Sequence, residues 1–258
     1  MKNKVSVVII ARDEEHEIEG CIKSILEANP DELIVVIDDR TQDNTEKIAK
    51  AYTDKVYIVK GQRGKLRNYG WEKSRNNIIC YVDADMRLPK HYLKDLLPYI
   101  LEQSQVAMLG AGWLPLGDAL CGKLEWIVWD YSKQFGTGGS FYKKEALINV
   151  NGFNNNLNTG EDGDLSRRLE KAGWKRVYTT KVRAYHRFPQ KWSVLLNKLT
   201  HGGTRKFKFK KYLLFFVSPF RAIIMGVRYK SLHILWYYPF RMFVLAFFAG
   251  RENYKPIK

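Results

Sequence analysis

Three short apolar runs in this chain stop where acidic residues begin, and that punctuation limits the fold more than any other feature. Val5–Ile10 is a β-branched run that leads into Ala-Arg-Asp-Glu-Glu, Leu33–Ile37 ends at Asp38-Asp39, and Ile78–Val82 ends at Asp83-Ala84-Asp85. A run that is apolar throughout, without alternation, is a strand covered on both faces, as in a parallel sheet flanked by helices. The intervening segments have helical spacing. Ile18, Ile22, Ile25 and Leu26 mark one helix, and Ile48, Ala51 and Tyr52 are expected to face inward on a second. Val56–Val59 reads as a further strand, and Pro89 is expected to open a helix carrying Leu93, Leu96, Leu97 and Ile100. The alternation predicts an α/β layer fold whose ligands bind at the carboxyl ends of the strands, where Asp38, Asp39, Asp83 and Asp85 fall.

Residues 106–185 read as a mixed region. It has a strand at Val106–Leu109, an aromatic helix around Trp126 and Trp129, a Gly-Thr-Gly-Gly-Ser turn at 136–140, a helix from about Asp162 to Ala172 and a strand at Arg176–Thr180. The division expected from these patterns is one α/β domain over residues 1–190 and a helical region over 191–258.

Charge is distributed unevenly. Lys and Arg number 43 against 27 Asp and Glu, but residues 171–258 hold 20 of those cations and one acid, Glu252, while residues 1–170 sum to −3. A nearly neutral body is thus followed by a cationic, aromatic tail. Within the tail, Arg205-Lys206-Phe207-Lys208-Phe209-Lys210-Lys211-Tyr212 interleaves cations with rings. Its five charges supply about 5 kcal/mol of attraction to an anionic leaflet. Two apolar stretches follow, Tyr212–Val227 and Ser231–Gly250, each interrupted by one Arg in a Pro-Phe-Arg triplet. The expectation is an interfacial or re-entrant helix pair on an anionic membrane surface, with a single span through 231–250 as the alternative. The rival class is a basic nucleic-acid-binding protein with a non-catalytic α/β core, since interleaved cations and rings also suit single-stranded nucleic acid. Exposed Leu213–Val217 and Phe243–Phe248 favour lipid, so no nucleic-acid partner is expected.

Cys21, Cys80 and Cys121 are odd in number, form no CxxC and sit among apolar residues, which argues against a disulfide scaffold or a zinc site. The first apolar run is too short for a signal peptide, and a cytoplasmic N-terminal part is expected.

Asp83-Ala84-Asp85 offers two hard oxygen donors on a turn after a buried strand, a pattern able to hold Mg²⁺ or Mn²⁺ while leaving positions for diphosphate oxygens; an ordinary solvated acidic turn has the same spelling. Taken in order, SVVIIARDEE at 6–15, ELIVVIDDRTQDNT at 32–45, GKLRNYGWEKS at 64–74, ICYVDADM at 79–86, GTGGSFYKKEAL at 136–147 and GFNNNLNTGEDGDLSRRLEKAGWK at 152–175 resemble the ordered motifs of family 2 glycosyltransferases with the GT-A fold. The similarity covers about residues 4–188 and lies in the order and spacing of six blocks.

The resemblance implies a Rossmann-like, mostly parallel mixed sheet with flanking helices, followed by a C-terminal membrane-associated helical region. It further implies an enzyme that uses a nucleotide-diphosphate sugar and a divalent metal and inverts at the anomeric carbon. Carried over by position, Ala11, Arg12 and Glu14 match the loop that receives the nucleotide, and Asp39 the acid that contacts the base, with Asp38 equally suited to capping a helix. Arg67 and Asn68 match the block over the nucleotide and its phosphates, a place Arg63 or Lys65 is also able to fill. Asp83 and Asp85 match the donor and metal acids, and His186 is a candidate third metal ligand. Glu161-Asp162 matches the catalytic pair, with Asp162 as base and Asp164 a near alternative. Gly138, Gly139 and Ser140 lie in the turn where backbone approaches acceptor and diphosphate, and Arg205 is a further diphosphate candidate. The QxxRW block of processive relatives is absent around Lys198, His201 and Arg205. The expected partners are a nucleotide-diphospho-sugar donor and a lipid-linked or saccharide acceptor at the cytoplasmic face of the cell membrane.

Overall fold

The computed structural model describes residues 5–132, 136–157, 159–201 and 216–247. They form two compact units, one from within residues 1–114 and 135–186 and one from within 115–134 and 187–258. The helix around Trp126 and Trp129, read from the sequence as part of a domain ending near residue 190, therefore groups with the C-terminal helices.

The first unit is built on an eight-stranded sheet in the order β3-β2-β1-β4-β7-β6-β8-β5. Strands β1 (Val5–Ala11), β2 (Glu32–Asp38), β3 (Val56–Val59) and β4 (Ile78–Asp83) are mutually parallel. Strand β7 (Ser140–Lys143) pairs antiparallel with both β4 and β6 (Val106–Pro115), and β5 (Met86–Arg87) pairs antiparallel with β8 (Lys175–His186). Alternation along β1 divides the core. Val7 and Ile9 join one cluster with Ile18 and Ile22 of α1 (Ile18–Glu27) and Leu93 and Leu96 of α4 (Tyr92–Leu101). Val8 faces the other way, with Leu66 of α3 (Arg63–Lys73) and Leu165 and Leu169 of α7 (Glu161–Lys171). Both faces of β1 and β2 are thus dry, which is why their sequences read as apolar runs rather than as alternations.

Several local expectations are corrected. Leu26 is exposed and Cys21 takes its place on the buried face of α1. On α2 (Thr45–Lys50) Thr45 and Ala49 are buried and Ile48 packs against the core, as does Tyr52 beyond the helix end, whereas Ala51 is exposed. Pro89 forms a turn, its carbonyl accepting the Tyr92 N–H at 2.9 Å, and α4 starts at Tyr92. Strand β8 runs past Thr180 to His186: Lys181 and Tyr185 are exposed while Val182, Ala184 and His186 alternate inward, so the charged residues that look like a strand end are its outer face. Helix α6 (Lys144–Asn149) follows β7 directly.

In the second unit, α5 (Leu120–Tyr131), α8 (Trp192–His201), α9 (Ser218–Tyr229) and α10 (Ile234–Phe247) enclose a core of Leu124, Val128, Leu195, Met225, Tyr237 and Met242. Arg241, read from the sequence as a charge interrupting an apolar stretch, is the partly buried partner of the buried Glu125. Its Nε and Nη2 donate to the carboxylate at 2.8 and 2.9 Å, and Tyr237 Oη and Trp129 Nε1 complete the set at 2.6 and 2.9 Å. Burial pushes the Glu125 carboxyl up, but these donors hold it below its ordinary value. Among the described residues no helix is long and apolar enough to cross a membrane. The 14 described residues of α10 extend about 21 Å against a hydrocarbon core of about 30 Å, and residues 248–250 of the single-span alternative lie outside the described residues. Residues 202–215, including Arg205 and the cation-aromatic segment, lie outside the described residues.

Candidate active site

The parallel strands deliver their carboxyl ends to one edge. Ile10 is in register with Asp83 and Ala11 with Ile37, so the turns after β1, β2 and β4 open side by side. The first two turns are laced together. The Glu14 N–H donates to Thr45 Oγ1 at 2.8 Å, the Glu15 N–H to Asp43 Oδ2 at 3.0 Å, the Gln42 N–H to Asp13 Oδ1 at 2.9 Å, and the Asn44 side chain to Glu15 Oε2 at 2.9 Å. Asp13 adopts φ +53°, a left-handed conformation rare outside glycine and asparagine, and its side-chain bond to the neighbouring turn holds it there. Of the DD pair, Asp38 is buried and clasped by Arg40 through its N–H at 3.0 Å and Nε at 2.8 Å, whereas Asp39 is exposed. Burial raises the Asp38 carboxyl, and the Arg40 hydrogen bonds outweigh that and leave it below its ordinary value. The residue free to meet a ligand at this edge is therefore Asp39, with Arg12 exposed beside it on the neighbouring strand's turn.

Arg67 and Asn68 do not lie on an exposed helix face. Both are buried on the inner side of α3, because Gly70 lets the helix approach β1 so closely that a Cβ there would sit 2.3 Å from Val8 Cγ1. Arg67 donates from Nη1 to Glu161 at the start of α7 and from Nη2 to Asp83 Oδ1 at 3.4 Å, with its guanidinium over the Phe153 ring. Burial acts to lower its pKa, but Asp83, Glu161 and Asp162 raise it above the ordinary value, so the cation is fixed. The Asn68 amide is fully engaged. Nδ2 donates to the Phe153 carbonyl and to Asn155 Oδ1, both at 2.8 Å, and Oδ1 accepts from the Phe153 N–H and from Trp71 Nε1. Asn68 therefore fastens the 153–155 loop, and Arg63 and Lys65, the cations in the first turn of α3, are exposed.

The glycine turn at 136–140 runs between the two acidic constellations. A Cβ on Gly138 would meet Asp83 Oδ2 at 2.6 Å, and one on Gly136 would lie 3.2 Å from Asp162 Oδ2. The turn is pinned by the Gly139 N–H on the Tyr81 carbonyl at 2.7 Å, Tyr92 Oη on the Gly139 carbonyl at 2.5 Å, and Trp113 Nε1 on the Gly138 carbonyl at 3.0 Å. Ser140 is buried and donates to the Gly136 carbonyl at 2.7 Å, so it shapes the turn from within. Asp162 is half-buried beside this turn. Asp164, its sequence alternative, is held by Arg168 at 2.8 Å and Arg167 at 3.3 Å on its own helix.

The antiparallel pairing of Met86 with His186 brings the His186 imidazole to Asp85, with Nε2 to Oδ1 at 3.5 Å. Asp83, Asp85 and His186 do not converge on a single point, since Asp83 turns toward Arg67 and Gly138. Among the described residues no three His, Cys, Asp or Glu side chains form a metal cage. The donor set that does form, a carboxylate and an imidazole, suits a divalent cation that takes its remaining ligands from elsewhere. The local field favours one. Glu14 is pushed up to about 8, first by burial and then by the negative charge of Asp85, Glu17, Asp83 and Asp43. Trp113, which nothing in its apolar strand singles out, belongs to the same neighbourhood, its ring centroid 4.9 Å from that of His186.

The first unit thus combines a parallel sheet with acids at its carboxyl edge, antiparallel strands beyond it and a second acidic pair at the start of α7. Residues 6–152 match the sequence model of Glycosyl transferase family 2, more than half of the chain, and the protein belongs to that family. A search of curated proteins finds no match. Among solved structures, the chain is similar to the mannosyltransferase PcManGT of Pyrobaculum calidifontis in complex with GDP-Man and Mn²⁺, with TM-score 0.59, 16% identity, and coverage of 75% of this chain and 59% of that one. Glucosyl-3-phosphoglycerate synthase of Mycobacterium tuberculosis with Mg²⁺ and UDP gives TM-score 0.55 and 18% identity over 73% of each chain. S. aureus TarS gives TM-score 0.55 and 19% identity over 71% of this chain, which spans only 36% of TarS. At these identities the structures establish a shared GT-A fold.

Proposed function

We propose that the protein is an inverting, divalent-metal-dependent glycosyltransferase that moves a sugar from a nucleotide diphosphate to a hydroxyl or phosphate acceptor, lipid-linked and presented at the cytoplasmic face of the cell membrane. The observation that carries this reading is that one buried cation, Arg67, contacts Asp83 of one acidic pair and Glu161 of the other, with the glycine turn running between Asp83 and Asp162. The similarity to structures holding GDP-Man with Mn²⁺ and UDP with Mg²⁺ supports a nucleotide-sugar donor and the metal.

On this reading Arg12, Asp39 and the backbone around Ala11 and Glu14 receive the nucleoside. Asp39 is the exposed acceptor for a base N–H. Asp85 and His186, with Asp83 beside them, hold Mg²⁺ or Mn²⁺. When bound, the cation neutralises charge building on the diphosphate leaving group. Gly138 and Gly139 leave room for substrate against backbone. Asp162 takes the proton of an attacking hydroxyl, with Glu161 held by Arg67 so that Asp162 stands at the substrate side of the helix start. For a phosphate monoester acceptor, already ionised at neutral pH, Asp162 orients the acceptor instead. The lipid-linked acceptor and the membrane surface are supported by the cationic, aromatic tail, whose 20 Lys and Arg oppose a single acid over residues 171–258.

A thermal-shift panel of nucleotide sugars with and without Mn²⁺ tests the reading. Stabilisation by one donor that requires the metal is expected. Stabilisation by none of them, or equally by all without metal, contradicts it.

A further inference from the structure

Helix α9 is apolar on two opposite sides. One side, with Ala222 and Met225, is buried in the core of the second unit. The other carries Phe220, Ile223, Ile224 and Val227, which recur at the three- and four-residue spacing of one helix face. Those residues face solvent. Phe220 is 72% and Val227 77% exposed, and Leu232, in the turn to α10, is 81% exposed. Trp236 on α10 is also half in solvent. A soluble helix buries one stripe and covers the other with polar groups, and a face of large side chains left open marks a surface that meets something apolar.

Its charge indicates what that is. The only ionised side chains on α9 are cations, Arg221 and Arg228, both exposed, and Lys230 caps the helix. No acid occurs between Glu170 and Glu252. An apolar helix face flanked solely by cations is complementary to the acyl boundary of an anionic bilayer, where the rings and aliphatic chains insert and the guanidinium groups reach phosphates. A second protein copy bearing the same surface would set these cations against each other. We infer that the outward face of α9, with Leu232 and Trp236, is a membrane-inserting surface that lies in the plane of an anionic leaflet. This deepens the membrane reading proposed above and rests on it. It assigns insertion to α9 rather than leaving attachment to the basic segment at 205–211.

Flotation of the full-length protein with neutral phosphatidylcholine vesicles, and with vesicles containing about 30% phosphatidylserine, tests it with three proteins. These are the wild type, Phe220→Asp/Val227→Asp, and Lys206→Ala/Lys208→Ala/Lys210→Ala. The expected result is wild-type binding to anionic vesicles that falls more than about tenfold in the Phe220/Val227 variant, with melting temperature unchanged because both side chains are already in solvent. If only the Lys variant loses binding, the protein meets membranes through charge alone and the α9 assignment is wrong while the membrane reading stands. If the wild type binds neither vesicle, both are wrong. A Phe220/Val227 variant with an altered melting temperature, or a wild type that sediments as a dimer which this variant dissociates, identifies protein as the cover of the face and also overturns the inference. Metal-dependent donor stabilisation, measured on the same three proteins, reports separately on sugar transfer.

Discussion

Arg67 pairs with Glu161, 94 residues further along the chain, and both side chains are almost wholly buried. The same guanidinium reaches Asp83. A charge pair of this kind gains little over an apolar replacement of both partners, but losing one partner strands the other without water. Its use here is geometric: it joins α3, the end of β4 and the start of α7, three elements that carry different parts of the candidate site.

Arg67→Met is accordingly expected to destabilise the fold by about 3–5 kcal/mol in urea unfolding. Adding Glu161→Met should recover a large part of that loss. Additive penalties in the double variant would show that the two residues act independently and would remove the link between the acidic pairs.

Gly138→Ala tests the close approach of the glycine turn to Asp83. The new methyl group meets Asp83 Oδ2 at 2.6 Å and Met86 Sδ at 2.8 Å, so the carboxylate must move. The expected outcome is an overpacking cost of about 1–3 kcal/mol with a much weaker metal-dependent response to donor. A variant with wild-type stability and donor response would mean that the turn yields freely.

Asp162→Asn should lower turnover on a hydroxyl acceptor by about 10²- to 10⁴-fold while donor binding stays intact, as read by comparing turnover with donor affinity. Loss of donor binding with turnover unchanged at saturation would identify a structural helix cap instead.

Acid stability depends on Glu32, remote from the site at the amino end of β2. Burial raises its pKa, but Lys55, the Ser6 hydroxyl and the Arg75 N–H donate to it and bring it from 4.5 down to about 2. A carboxyl lowered on folding stabilises the protein above its unfolded pKa, and that contribution disappears as pH falls through the folded value. Stability should therefore decline by about 3 kcal/mol between pH 4.5 and pH 2 on this account, and Glu32→Gln should flatten the decline. An unchanged pH profile in that variant would contradict the assignment.

How much the sequence discloses depends on which side chains face inward. The strands β1, β2 and β4 are legible because sheet positions covered on both faces must be apolar, and the acids after them are legible because a parallel sheet opens its carboxyl ends to ligand. Helix α3 hides because its inward face carries Leu66 among Arg67, Asn68 and two glycines, too few apolar positions for a hydrophobic period. The Asp85–His186 contact depends on the register of β5 against β8, a long-range pairing that local pattern does not encode. Arg241 looks like a charge breaking an apolar span until Glu125, 116 residues earlier, supplies its partner.

The decisive measurement is the rate of Mn²⁺-dependent release of nucleoside diphosphate from the stabilising nucleotide sugar, in the wild type and in Asp85→Ala. Asp85 stands beside His186 where the cation is proposed to bind. The expected result is a rate that rises with Mn²⁺ in the wild type and stays at background in the variant at every metal concentration. Equal rates in the two proteins, or a wild-type rate indifferent to Mn²⁺, would contradict a metal-dependent transfer at this edge of the sheet.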